Sequence, residues 1–277
     1  MVILNNSELI TVKKTELDRM KREAMKYTTI SFVSIILFLV AWELLSRYGI
    51  IAENIFSRPS ELFKTFIYKL SNKKPEGNTL VTHFFVSIRL ALTGFAAAVI
   101  IGIPLGLFMG FFKAMRLYFM PIFEIIRPIP PIAWIPIIIL LMGIGMAAKS
   151  FIIFVAAFVP CVINSYLGIQ LTNPTLINVA KTFGASKWQI FTKVCIPAST
   201  QMVFAGVRVS LGSAWSALVA AELLASTSGL GYMIQMGRNF IRADIIIVGM
   251  LVIGASGALF ASLLALAEKR IAPWRTK

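Results

Sequence analysis

Apolar and polar residues fall in long blocks along this chain, not in the alternation by twos that marks a half-buried strand. Apolar blocks run over Thr28–Leu45, about Val86–Phe111, from near Tyr118 to Gly145, about Ser150–Leu171, Met202–Leu224 and Ala243–Ala267. Each, with its flanks, reaches the ~20 residues a helix needs to cross a bilayer. The pattern predicts an all-α integral membrane protein with six transmembrane helices. Before the first block, KKTELDRMKREAMKY reads as a short surface helix. That lead is too long for the n-region of a signal peptide, and no small-residue cleavage site follows, so the first block is expected to stay as a span. Between the first two blocks, Ser60 caps a helix carrying Leu62, Phe63, Phe66, Ile67 and Leu70. This is an amphipathic helix suited to the membrane surface. The third block holds Pro121, Pro128, Pro130, Pro131 and Pro136. These must break its hydrogen-bond ladder, which predicts an interior position where protein or a wet cavity satisfies the freed groups.

One polar island separates the fourth and fifth blocks, NPTLINVAKTFGASKWQIFTKVCIPA, Asn173–Ala198. Asn173 and Pro174 are a good N-cap and first-turn pair. Gly184 interrupts the helix, and Ser186 with Gln189 is an S-x-x-Q capping box that restarts it. Pro197 is expected to end the unit. The result is two short helices along the membrane with an apolar face to present or bury, or else an ordinary helical loop.

Composition agrees with a membrane location. Hydrophobic residues are 58% and charged residues 14% of the 277, and mean hydropathy is +0.82. The net charge of +15 would suggest nucleic acid in a soluble protein. Here the bases sit in short polar loops, so they set topology and imply no nucleic-acid partner. Fifteen Lys and Arg lie on the side of residues 1–27, the Lys113–Arg116 turn, the island and the tail, against nine on the other. The island and both termini are therefore expected in the cytoplasm. Cys161 and Cys195 lack CxxC spacing, and the single His83 makes a protein-built metal site improbable. No GxxxxGK[ST] phosphate loop is present, so ATP hydrolysis by this chain is not expected.

The island resembles the EAA loop of permease subunits from binding-protein-dependent ABC importers. Asn178-Val179-Ala180 stands at the Glu-Ala-Ala position, Gly184 at the glycine, and Val194-Cys195-Ile196-Pro197 at the closing motif. Asn178 in place of Glu is a departure that removes a charge. RPIPPIAWIP (Arg127–Pro136) followed by GIG, and SLGSAWSALVAAELL (Ser210–Leu224) followed by GLGYMI, are similar to the nitrate/sulfonate/taurine/bicarbonate branch, and the likeness covers about residues 30–272. The resemblance implies a type I ABC importer permease fold with a cytoplasmic coupling helix. It also implies a homodimer, a cytoplasmic ABC ATPase dimer that holds ATP and Mg, and an extracytoplasmic substrate-binding protein, in a bacterial cytoplasmic membrane. This chain would bind no cofactor and would itself be no enzyme. Asn178, Ala180, Gly184, Ala185, Ser186, Lys187, Trp188 and Pro197 are the residues the likeness places against the ATPase. On this reading residues 1–27 are a cytoplasmic segment, 28–272 the permease domain with its coupling loop at 173–198, and 273–277 a cytoplasmic tail.

For a pathway, Arg208, Gly212, Trp215, Val219 and Glu222 fall on one helical stripe. Arg208 and Glu222 lie ~21 Å apart along it and cannot pair with each other. Ser213, Ala217 and Ala221 offer a small-residue packing face. Arg127 precedes the proline run, with Glu124 one turn away as its expected partner, and Arg89 belongs near a span end. Asn164 and Ser165 are expected to bond between helices. The candidate path is Arg127, Asn164, Arg208, Trp215 and Glu222, carrying a small anion such as a sulfonate, taurine, nitrate or bicarbonate. The competing class is a channel or secondary transporter, which would require paired halves with ion-site breaks; no internal repeat is visible.

Overall fold

The computed structural model describes residues 6–50 and 56–271. The expected tail at 273–277 lies outside the described residues, as do the first five residues of the N-terminal segment. Every regular element among the described residues is helical. Among the described residues five helices are long and apolar enough to cross a membrane, six if one bent pair counts as a span.

Helix α1 runs without a break over Asn6–Arg47. The surface helix and first span expected separately are one 42-residue helix, ~63 Å long at 1.5 Å per residue. Nothing between those residues is glycine or proline, so nothing stops it. The chain divides between Lys64 and Thr65, inside α2 (Pro59–Ser71), into two units. In the first, the Glu43 carboxylate accepts the Ser60 hydroxyl at 2.8 Å and the Ser60 amide at 3.1 Å.

The second unit begins on an unusual face of α2. Thr65 and Lys69 are buried, while Phe66, Ile67 and Leu70 are exposed. Lys69 Nζ lies 2.8 Å from the Glu76 carboxylate, both side chains fully buried, and donates to the carbonyls of Lys74 and Asn78 at 3.2 and 3.0 Å. Thr65 donates to Asp244 at 2.7 Å. Arg242 forks onto the same carboxylate at 2.8 and 2.6 Å, and these bonds raise the guanidinium above its usual pKa. Thr65 and Lys69 of α2 are thus spent on protein contacts, while Phe63, Phe66, Ile67 and Leu70 of its apolar set are exposed and only Leu62 is buried.

The body is built from α3 (Leu80–Phe111), α6 (Met146–Gln170) and α9 (Ile196–Ala225). Glycines let their backbones meet. A Cβ at Gly94 would lie 2.6 Å from the Ser150 carbonyl, and one at Gly110 2.6 Å from Ile169 Cβ. Such small-residue seams are how apolar helices associate when lipid offers no hydrophobic drive. Across them Thr93 and Ser150 share a hydrogen bond of 3.0 Å, and Ser210 donates to the Ala157 carbonyl at 2.8 Å. Asn164 and Ser165 do not bond between helices as expected. Asn164 donates to the Pro160 carbonyl of its own helix at 2.9 Å, and Ser165 Oγ is buried with no hydrogen-bond partner among the described residues. The glycines have brought the helices so close that both side chains serve as packing. Gly94→Leu is expected to cost about 1–3 kcal/mol by overpacking, read as a lower midpoint of unfolding in SDS. Gly254→Leu is the control and should stay near neutral, because nothing lies within 4 Å of a Cβ there.

The proline-rich block becomes α4 (Lys113–Ile126), a 3₁₀ turn (Pro131–Trp134) and α5 (Ile135–Met142), bent by 87°. Its interior placement is not met within the single chain: Ile125, Leu140 and Leu141 are 72%, 84% and 77% exposed. The break needs no surrounding protein because short turns close it, Ile129 N–H to Ile126 O at 3.1 Å and Ala133 N–H to Pro130 O at 2.9 Å. The remaining helices are α7 (Pro174–Thr182), α8 (Lys187–Ile190), α10 (Leu230–Asn239) and α11 (Ala243–Ile271).

Candidate functional site

The island folds as its caps dictate. Asn173 Oδ1 accepts the Thr175 amide at 2.9 Å, with Pro174 in the first turn. At the other end of α7, Gly184 has φ +78°. Its amide bonds the Lys181 carbonyl at 2.9 Å, and that of Ala185 bonds the Ala180 carbonyl at 3.0 Å. This pair of bonds is the Schellman closure, which requires a left-handed residue. Ser186 then opens α8 with a reciprocal cap: its hydroxyl accepts the Gln189 amide at 3.2 Å and its amide donates to Gln189 Oε1 at 2.8 Å.

Pro197 does not end the unit. The chain passes from α8 through a π turn, Phe191–Cys195, straight into α9. There the Ile196 amide reaches back five residues to Phe191 O. The wider turn shifts the register and so accommodates a proline, which has no amide to donate. Phe191 and Cys195 are buried, and the Phe191 ring meets Phe108, Phe111 and Phe112 of the α3 end at 5.0–5.6 Å. Ala180 and Ala185 turn toward this cluster, whereas Asn178, Gly184, Ser186, Lys187, Trp188 and Pro197 are exposed. The largest apolar exposure of the island lies outside the motif positions: Phe183 is 86% exposed, and Leu176 and Val179 share its helical face. The i, i+3, i+7 spacing of these three was the available signal.

A second feature is an open groove of about 590 Å³ between α9 and the proline turn, lined by Pro131, Ile132, Val209, Gly212, Ser213, Ser216, Ala217 and Ala220. Ser213 and Ser216 supply its hydroxyls. None of the five candidate path residues lines it. Trp215 points to α11, donating to the Ile253 carbonyl at 3.1 Å and meeting Phe260 at 5.3 Å. Arg208 forms an ion pair with Glu268. Asn164 is held on α6, and Arg127 lines a separate, smaller cavity. Ala217 and Ala221 pack on α5 and α6 as the small-residue face predicts.

Glu222 is buried, and among the described residues no arginine pairs with it. Its carboxylate accepts the Ser87 hydroxyl at 2.7 Å and the Gly231 amide at 2.8 Å. Ser87 Oγ accepts the Leu230 amide at 2.8 Å, and His83 Nδ1 the Gly229 amide at 3.0 Å. Three successive amides at the start of α10 are thus capped by side chains from α3 and α9. Lys149 of α6 secures the same loop through Ser226 at 2.9 Å.

Residues 98–277 match the family model described as the binding-protein-dependent transport system inner membrane component. The chain belongs to this family. The permease is 36% identical to a probable ABC transporter permease protein of Brucella abortus (strain 2308), over 85% of this chain and 91% of that one. It is 31% identical to the taurine transport system permease protein of Escherichia coli (strain K12), over 90% of each. With the nitrate import permease protein of Synechocystis it shares 33% identity over 88% of this chain and 90% of the relative. Its fold matches the MetNI methionine ABC transporter in inward-facing form, with a TM-score of 0.60 at 20% identity, covering 72% of this chain and 96% of that chain. The protein is a multi-pass permease subunit of an ABC importer, a transport component.

Proposed function

We propose that the permease works as a homodimer in the bacterial cytoplasmic membrane, with both termini and the island in the cytoplasm. A dimeric ABC ATPase docks on α7 and α8, and an extracytoplasmic binding protein delivers a small anion, of which taurine, sulfonates and nitrate are the first to test. ATP and Mg are held by the ATPase. The observation that carries the reading is the Leu176, Val179, Phe183 and Trp188 surface, four apolar side chains about half or more exposed on a rigidly capped element. An apolar patch on an otherwise polar loop marks a partner surface, and buried aromatics dominate such contacts. Asn178, Lys187 and Ser186 form its polar rim.

The anion path is assigned to the groove beside Gly212, where the Ser213 and Ser216 hydroxyls can donate to an oxyanion. The test is co-expression with candidate ABC ATPase and binding-protein genes of the same genome, followed by uptake of labelled taurine and nitrate into proteoliposomes. Phe183→Ala with Trp188→Ala is expected to weaken capture of the ATPase at least tenfold in a pull-down. Capture at the unaltered level would overturn the docking surface, and uptake without any ATPase would favour a secondary transporter.

A further inference from the structure

The turn between α10 and α11 stands at the far end of the 30-residue helix α9 from the island, and it repeats the island's closure with one difference. At the end of α10 the Ile241 amide bonds the Arg238 carbonyl at 3.1 Å, and the Arg242 amide bonds the Gly237 carbonyl at 2.8 Å. The same pair of bonds closes α7 around Gly184, and it requires a left-handed residue at the same place. Here that residue is Ile241, at φ +54°, the one non-glycine with positive φ among the described residues. A β-branched side chain is an outlier in this region. Such strain persists only where the surroundings impose it, and it clusters where a ligand or partner is held. Arg242 forks onto Asp244, which Thr65 of α2 ties in turn, so the turn is fixed from both sides.

The isoleucine side chain gives little back to the fold: it is 74% exposed, and Phe240 before it 49%. Glycine would make the same two bonds without strain. What isoleucine adds is therefore directed outward, as a rigid apolar tip. The exposed charges beside it are bases, Arg238 and Arg242 on the turn and Lys73 and Lys74 on the loop after α2. That loop is fastened one turn along α2 from Thr65, where Lys69 holds the Lys74 carbonyl and Glu76. The acids of this end are already engaged, Glu76 by Lys69 and Asp244 by Arg242. An apolar tip with a basic rim complements an acidic protein surface that has an apolar recess. A bilayer surface accepts apolar side chains in any conformation and gives no reason to hold one strained, whereas a recess of fixed shape rewards a tip that is already in place. We infer that the Phe240–Ile241 tip is the plug on which the extracytoplasmic binding protein seats, through an apolar recess bordered by acids. The inference rests on the importer reading and topology proposed above and adds the residues that make the contact.

The test uses the full permease–ATPase complex in nanodiscs and the binding protein of the same genome that drives uptake in proteoliposomes. Ile241→Gly is expected to weaken capture of that binding protein by about tenfold or more. Its midpoint of unfolding in SDS should stay level or rise, because glycine relieves the strain. Ile241→Asn, which also accepts the left-handed region, should lose capture equally, and Ile241→Val should keep most of it. Uptake by Ile241→Gly should recover at saturating binding protein, since docking and not transport is impaired. Arg238→Glu should slow association several-fold and flatten its salt dependence. Capture by the glycine and asparagine variants at the unaltered level overturns the proposal. So does a fall in the unfolding midpoint that parallels the loss of capture, which would make the residue structural. A fluorophore on Ile241→Cys, with both native cysteines buried, reads the remaining outcome: quenching by spin-labelled lipid before any binding protein is added would place the tip in the bilayer and overturn it as well. Uptake by the unaltered complex alongside indifferent variants removes the tip and leaves the importer reading standing; if no binding protein drives uptake by the unaltered complex, that reading fails and the tip with it.

Discussion

Gly184→Val is expected to abolish ATP-driven uptake while leaving the membrane body folded. The glycine holds φ +78°, a conformation a β-branched residue adopts only at a cost of about 1–3 kcal/mol. Valine would escape by leaving the left-handed region, and the two closing bonds from residues 184 and 185 would go with it. Each such bond contributes about 1 kcal/mol. For a nine-residue helix, held at one end by an Asn cap, that is enough to detach α7 from α8 and scatter the apolar docking surface. Gly184→Asn is the companion variant. Asparagine occupies this conformation at helix ends, so it should retain most uptake. Proteoliposomes with the ATPase and binding protein give the measurement, and full uptake by the valine variant would sink the idea of a rigid docking element.

Glu222→Ala is expected to have the largest effect on stability. It removes the acceptor of the Ser87 hydroxyl and of the Gly231 amide, both buried. A buried group left unpaired costs about 1–3 kcal/mol, so about 2–5 kcal/mol should be lost, visible as a lower midpoint of unfolding in SDS. Glu222→Gln keeps one acceptor oxygen and should lie between. A second measurement separates general loosening from release of α10. With Ser228→Cys in the background, maleimide labelling should rise in Glu222→Ala, and the two native cysteines, both buried, contribute little signal. Unchanged labelling would mean that the carboxylate does not hold the start of α10.

The parts of this architecture that were legible are those governed by neighbours in sequence. Asn173, Ser186 and Gln189 make the bonds their spacing forecasts, because each cap and its hydrogen-bond partner lie within three residues. Gly184 is likewise a local decision. What escaped depends on distant chain. Glu222 is answered by Ser87, 135 residues away, and by amides, which carry no sequence signature. Arg208 finds Glu268 on α11, and Trp215 finds a carbonyl there. The stripe that joined these three residues is real as a helical face, yet each member meets a different neighbour. Pro197 misled for another reason: a proline stops a helix only where the ladder keeps its four-residue step, and the five-residue step of the π turn removes that condition. The groove proposed as the path was hidden because it is made of what is small, Gly212, Ser213, Ser216 and Ala220, and small residues are also what close packing needs. Phe183 lies between the motif positions that carry the family likeness and is itself none of them.

The π turn has a mechanical consequence. Because nothing interrupts the backbone between Lys187 and Leu224, the 38 residues form one lever, ~57 Å long at 1.5 Å per residue. One arm ends beside Trp188, the other at the carboxylate of Glu222. A rotation of about 5° at the first end displaces the second by about 5 Å, close to one helical turn. The groove lies along the shaft between them, and a broken helix at Pro197 would have absorbed that rotation at a joint.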